Sequence, residues 1–185
     1  MIDDEKFIRG KVPMTKQEIR ILTLAKARLE SNSVVVDVGA GTGSITIEAA
    51  KLSPRGKIFA VERKPDAIEL IQRNVEKFSV DNVEIICAQA PDGLEKLPAL
   101  DAAIIGGSGG KLEKILDVVG AKLKKNGRIV VNAITLQTAT AGLKYFKTHG
   151  WKYEACLVQI TRFESVGSYD MAKALNPVWI IAAEI

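Results

Sequence analysis

Val34-Val35-Val36-Asp37-Val38-Gly39-Ala40-Gly41-Thr42-Gly43 is the stretch whose reading decides the fold. Four valines in five positions, broken only by Asp37, suit a strand buried on both faces of a parallel sheet. Glycines at 39, 41 and 43 let the backbone turn tightly and let a ligand approach it closely. The helix that follows from Ser44 presents its first N–H groups to that turn. A dinucleotide would use such a helix end for its pyrophosphate, normally through the spacing G-x-G-x-x-G.

Here the spacing is G-x-G-x-G behind an acidic strand residue. That arrangement favours the amino acid portion of S-adenosylmethionine (SAM) over a diphosphate, with Gly39, Ala40, Gly41, Thr42 and Gly43 as the cofactor turn. The plain alternative is a sharp strand-to-helix turn that holds no ligand. Lys57 to Glu62 reads as a second apolar strand, and Glu62, about 20 positions beyond the turn, is placed to accept hydrogen bonds from ribose hydroxyls. Val83 to Cys87 forms a third strand, and the loop after it makes Gln89 and the N–H of Ala90 candidate adenine contacts.

The rest of the chain alternates regularly. A helix over about Thr15 to Leu29 leads in, with Thr15 and Glu18 spaced as a capping box. Helices follow to Leu52, from Pro65 to Phe78, near Gly93 to Leu97, from Lys111 to Lys124 and from Gln137 to Thr148, with strands at Leu100 to Ile105 and Arg128 to Ala133. Strands near Trp151 to Thr161 and Val178 to Ile185 close the chain, joined by a connecting loop over Thr161 to Pro177. Such βα units predict an α/β fold, a parallel sheet with helices on both faces, and a final strand pair without a helix requires an antiparallel C-terminal strand. Seven mainly parallel strands ending this way are the pattern of class I, Rossmann-like SAM-dependent methyltransferases. The expected organisation is a single domain over residues 1–185.

Composition excludes several classes. The 185 residues, 47% hydrophobic, can bury a sizeable core without staples. Cys87 and Cys156 offer neither a disulfide framework nor metal spacing, so no metal and a cytoplasmic setting are expected. The charged start lacks a signal-peptide core, and no apolar run reaches a membrane span. The net charge of +4 is modest and dispersed where a nucleic-acid binder would more often show a clustered basic stripe, and it suits a polyanionic small substrate as well as RNA, so it decides nothing alone. Lys122-Leu123-Lys124-Lys125 reads as a solvated helix end, its cations complementing the helix dipole. The single histidine, His149, sits before Gly150 at a helix end and is set aside as a general base.

Chemistry in an open α/β sheet gathers at the carboxyl ends of the strands. Besides the residues above, those ends carry Asn132 to Gln137 and the unusual Gly106-Gly107-Ser108-Gly109-Gly110. The loop lacks the polar-Pro-Pro-aromatic segment of base-nitrogen methylases, and its glycines offer an open floor whose N–H groups could meet carboxylates.

These residues bring the chain into a recognisable group. Gly10-Lys11-Val12-Pro13-Met14-Thr15-Lys16-Gln17-Glu18, Asp37 to Gly43, Phe78, Ala90-Pro91, Gly106 to Gly110 and Asn132 to Leu136 match in order, over essentially the whole chain. The chain resembles the decarboxylating carbon-15 methyltransferases of (cobalt-)precorrins in cobalamin biosynthesis, in their stand-alone form. Gln137 departs from the Glu usual there. The resemblance implies methyl transfer from SAM to carbon 15 of a tetrapyrrole, loss of the carbon-12 acetate carboxyl, and a homotetramer. It also places Thr15 beside the cofactor. Substrate carboxylates would then lie over Gly106, Gly107, Ser108, Gly109 and Gly110 and meet Arg162, with Lys173, Lys11 and Arg9 as further clamps and the loop over 161–177 as a cover. The rival readings are an RNA methyltransferase and a non-enzymatic SAM-binding regulator.

Overall fold

The sheet is laid down by the βα units that start at Val34. In the computed structural model, which describes residues 1–185, α1 (Gln17–Ala27) precedes β1 (Val34–Val38). α2 (Ser44–Leu52), β2 (Lys57–Glu62), α3 (Pro65–Phe78), β3 (Val83–Cys87) and β4 (Leu100–Ile105) follow, then α4 (Leu112–Lys122), β5 (Leu123–Ala133) and α5 (Leu136–Thr148). The chain ends with β6 (Lys152–Val158), β7 (Thr161–Val166), β8 (Tyr169–Ala174) and β9 (Val178–Glu184). The main sheet has the order β3-β2-β1-β4-β5-β9-β6, and only β9 runs antiparallel to its neighbours. The expected seven-stranded, mainly parallel sheet is therefore the one found.

Alternation along β1 divides the core. Val36 and Val38 pack with Ile105, Val131, Leu116 and Phe146 under α4 and α5. Val35 packs the other way, with Ile19, Ile45, Ile58 and Val130 under α1 and α2. The strand order reverses between β1 and β4, and at such a switch point the connections diverge and leave a crevice.

Three local expectations fail, each for a tertiary reason. The helix α1 begins at Gln17, its N-cap is Lys16, and no side chain caps it. Glu18 does not reach back to complete a box with Thr15, because both its oxygens accept from Arg162, at 3.0 and 2.6 Å. The basic run 122–125 closes a helix only at Lys122, the last residue of α4, and continues as the start of β5. Only Lys122 is helical, donating to the Leu97 carbonyl at 2.8 Å, while Lys124 pairs with Asp101 at 2.8 Å from the start of β5. The connector 161–177 is an antiparallel hairpin, β7 with β8, turned at Gly167-Ser168 with Gly167 at φ +64°. Both cysteines lie on strands, with their residues exposed.

The N-terminal segment is held by one fully buried cation. Arg20 donates to Asp4 at 2.7 Å, to Glu48 at 3.1 Å, and to the carbonyls of Thr15 and Ile2. Asp4 and Glu48 are themselves buried. Removing one member of such a group strands the others in a medium that solvates charge poorly. Arg20→Met should therefore lower the unfolding free energy by about 3–5 kcal/mol in a urea titration; a loss below about 1 kcal/mol would show the network to be dispensable.

Candidate functional site

The β1 turn is built on glycines because the backbone leaves no alternative. Gly39, Gly41 and Gly43 have φ of +73°, +58° and +76°. A Cβ on Gly39 would lie 2.8 Å from the N, Cα and O of Gly107. The Gly107 loop is pressed there because the N–H groups of Gly106 and Gly107 both donate to the Val38 carbonyl, at 2.9 and 3.2 Å. Two glycine turns, from β1 and β4, thus meet backbone to backbone. Those two N–H groups are consequently unavailable to a substrate carboxylate, contrary to the expectation for this loop.

Above the turn lies a cleft of about 720 Å³, within the range of small-molecule sites. Its floor is Asp37 to Gly41 with Gly106 to Gly109, and Val12 to Lys16 cross over it from the N-terminal segment. Glu62, Gln89 and Ala90 stand on one side; Asn132, Ile134, Ile160, Asn176 and Val178 stand on the other. Of the residues singled out from sequence, Thr15, Gly39, Ala40, Gly41, Glu62, Gln89, Ala90, Gly106, Gly107, Ser108 and Gly109 line this one space.

The remaining candidates do not reach it. Thr42 is buried behind the turn, and Gly43 is the N-cap of α2, packed against Ile71. Gly110 stands in open space outside the lining. Arg162 is taken up by Glu18 and by Asp4, the latter at 3.1 Å, and Lys173 pairs with Glu164 within the hairpin. Neither is free to clamp a substrate from this position, and Lys11 and Arg9 are not in the lining. The cations that do line the cleft are Lys16, Arg63 and Lys64. None of the three is among the expected contacts, although Lys16 follows Thr15 directly and Arg63-Lys64 follow Glu62. Asn176 and Val178 were hidden by the missed hairpin, whose base brings them in. His149 lies elsewhere, stacked on Tyr145 with ring centroids 4.0 Å apart.

Electrostatics narrow what the turn can hold. Glu62 accepts from the N–H of Gly41 at 3.0 Å, and its other oxygen accepts from Arg63 and Lys64 N–H at 2.9 and 3.0 Å. Asp37, fully buried, accepts from the Thr46 hydroxyl at 2.6 Å. The N–H of Gly41, in the turn before α2, is therefore already engaged by a carboxylate of the chain, where a diphosphate site would keep it free. Two carboxylates beneath the turn favour a ligand with a cationic centre and hydroxyls.

Burial pushes the Asp37 carboxyl up to about 6, the Thr46 bonds opposing it and the Glu62 charge adding to it. Unfolded, the group would titrate near 3.9. The folded protein thus binds the extra proton between these values, and stability falls as pH rises through that window. Asp37→Asn, which keeps an acceptor for Thr46, removes this dependence. Its stability relative to the unsubstituted chain should rise from near zero at about pH 4 to about 2–3 kcal/mol above pH 6, followed by denaturation across pH; a flat difference would contradict the assignment.

Known proteins share this architecture over the full length. The protein of Sulfolobus acidocaldarius named probable cobalt-precorrin-6B C(15)-methyltransferase (decarboxylating) is 44% identical over 186 residues, spanning 99% of this chain and 96% of that one. The crystal structure of precorrin-6y C5,15-methyltransferase from Geobacter metallireducens superposes with a TM-score of 0.95 at 44% identity, covering 100% of this chain and 98% of that one. That of precorrin 8W decarboxylase from Methanobacterium thermoautotrophicum gives 0.95 at 36% identity, with both chains covered completely. Sheet order and these likenesses make the fold that of the class I methyltransferases. A model of the precorrin methyltransferase domain matches residues 6–184, and the chain belongs to that family.

Proposed function

We propose that this chain, acting as one methyltransferase domain, transfers a methyl group from SAM to carbon 15 of a cobalt-precorrin and promotes loss of the carbon-12 acetate carboxyl as carbon dioxide. The observation that carries the reading is the contact between the two glycine turns. It joins the turn suited to a methyl donor and the β4 loop suited to an acceptor into one floor, with the Gly107 backbone too close to Gly39 for any side chain at position 39. The relatives described above carry names for this chemistry at up to 44% identity.

The residues present fit SAM. Glu62 keeps lone pairs for ribose hydroxyls, Gly39 to Gly41 leave room for the amino acid portion, Thr15 closes over it, and Gln89 with Ala90 flanks the base. When bound, SAM supplies a methyl on a positively charged sulfur, which leaves as a neutral thioether. What the chain contributes is alignment of two carbons and exclusion of water, and positioning of this kind is worth about 7–11 kcal/mol. Lys16, Arg63 and Lys64 take over carboxylate recognition in place of Arg162, and none of them is engaged in an ion pair within the chain. A homotetramer, the assembly implied by the sequence resemblance, would cover Phe163, Tyr169 and Met171, which stand exposed on the hairpin. No helix is long and apolar enough to cross a membrane, and we place the reaction in the cytoplasm.

The reading is tested by supplying cobalt-precorrin-6B with methyl-labelled SAM and measuring methyl incorporation and carbon dioxide separately. One methyl gained and one carbon dioxide released per macrocycle are expected. Labelling of bulk RNA, with the tetrapyrrole untouched, would overturn it in favour of an RNA methyltransferase; tight SAM binding without turnover of either would favour a regulator. In parallel, Gly41→Asp adds a side chain at φ +58°, where a Cβ already lies 3.3 Å from the Pro13 carbonyl, and sets a carboxylate beside Glu62. Calorimetry should show at least about a hundredfold loss of S-adenosylhomocysteine affinity with the circular dichroism of the fold retained; unchanged affinity would remove the turn from the site.

A further inference from the structure

We propose that Asn132 binds the acetate carboxylate that is lost, through its side-chain NH2, an inference that rests on the function proposed above. Asn132 lies near the carboxyl end of β5 and lines the cleft, with 9% of its surface exposed. Its Oδ1 is fixed at 3.0 Å from the Thr23 hydroxyl, whose proton is shared with the Ile19 carbonyl at 2.7 Å. Its Nδ2 has no partner in the chain and almost no surface open to water. A buried donor left unpaired is a standing cost to the fold. Here that cost falls at a residue that lines the cleft, where a bound group would lie. The desolvation of the donor is then already met before substrate arrives, so its bond to a carboxylate is not offset by stripping water from the protein.

The surroundings suit the carboxylate that leaves better than those that remain. Ile19, Ile134, Ile160, Leu175 and Val178 line the same side of the cleft, and Lys16 in the roof is the one lining cation there; Arg63 and Lys64 follow β2 on the far side. A carboxylate among aliphatic side chains is raised in free energy, whereas neutral carbon dioxide is not. A guanidinium would stabilise the charge that must disappear, while a neutral NH2 orients the group without cancelling it. In the step itself, the bond between the acetate methylene and its carboxyl carbon breaks. Carbon dioxide leaves, the electron pair passes into the conjugated macrocycle, and a proton from water completes the methyl that replaces the acetate.

The test uses the whole chain with cobalt-precorrin-6B and SAM, following carbon dioxide release in Asn132→Leu and Asn132→Asp beside the unsubstituted protein. Asn132→Leu should slow release about 10- to 100-fold, leave S-adenosylhomocysteine affinity within about twofold, and keep or raise the thermal midpoint, since an unpaired donor is gone. Asn132→Asp should be at least as slow, because it sets a carboxylate against a carboxylate. Release at the unsubstituted rate in Asn132→Leu would overturn the proposal, as would full activity in Asn132→Asp, which would put the amide oxygen in use. Loss of cofactor affinity, or a lowered midpoint, would make Asn132 a cofactor or structural residue and equally overturn it. Absence of carbon dioxide release from the unsubstituted protein would instead sink the proposed function, and this assignment with it.

Discussion

The contact of Gly39 with Gly107 is the constraint on which the site depends. β1 and β4 are neighbours, paired Val38 with Ile105 at their ends, yet their chains leave in different directions. Both departures must be accommodated above one sheet edge, and the Val38 carbonyl ties the second to the first by accepting from Gly106 and Gly107. With a side chain at 39 the two loops would be driven apart and the floor would open into two separate turns. Everything else in the cleft is arranged around that junction: a carboxylate below it in Asp37, one beside it in Glu62, and a roof above it in residues 12–16.

The roof is positioned from a distance. Arg20 donates from Nη1 to both the Thr15 carbonyl and Asp4, from Nη2 to the Ile2 carbonyl and from Nε to Glu48, so the N-terminal segment follows α1 as a unit. Arg162 extends the same network to the hairpin by pairing with Asp4 and Glu18. Beside Arg162, the Glu18 carboxyl is held below the usual carboxylate range. The helix start, the roof and the hairpin therefore share one set of charges, and the base of that hairpin contributes Ala174, Leu175 and Asn176 to the cleft. An arginine first read as a substrate clamp serves to hold the walls that a substrate would touch.

Legibility in the sequence followed the range of the interactions. β1 and β2 could be bounded to the residue because their apolar runs end at Gly39 and at Glu62, and the start of α3 because Pro65 marks it, signals that lie within the segment itself. Thr15 and Glu18 have the spacing of a capping box, but the partner of Glu18 is 144 residues away, and no local pattern announces it. Lys124 likewise answers to Asp101, across the sheet rather than along a helix. The hairpin was legible and missed: Val166-Gly167-Ser168-Tyr169 is a two-residue turn between alternating strands. In the site, glycines and strand-end acids could be named because backbone geometry demands them. The free cations Lys16, Arg63 and Lys64 could not, since which lysine or arginine is left without a partner is settled only by packing.

The central claim is that one floor, made by two touching glycine turns, holds the methyl donor and leaves the β4–β5 side for the acceptor. A crystal structure with S-adenosylhomocysteine tests this most directly. Its ribose hydroxyls are expected on Glu62, its amino acid portion against Gly39 to Gly41, its sulfur facing the Gly106 to Ser108 loop, and Asn132 left uncovered. Density for the ribose away from Glu62, or for the ligand lying across Asn132, would contradict it.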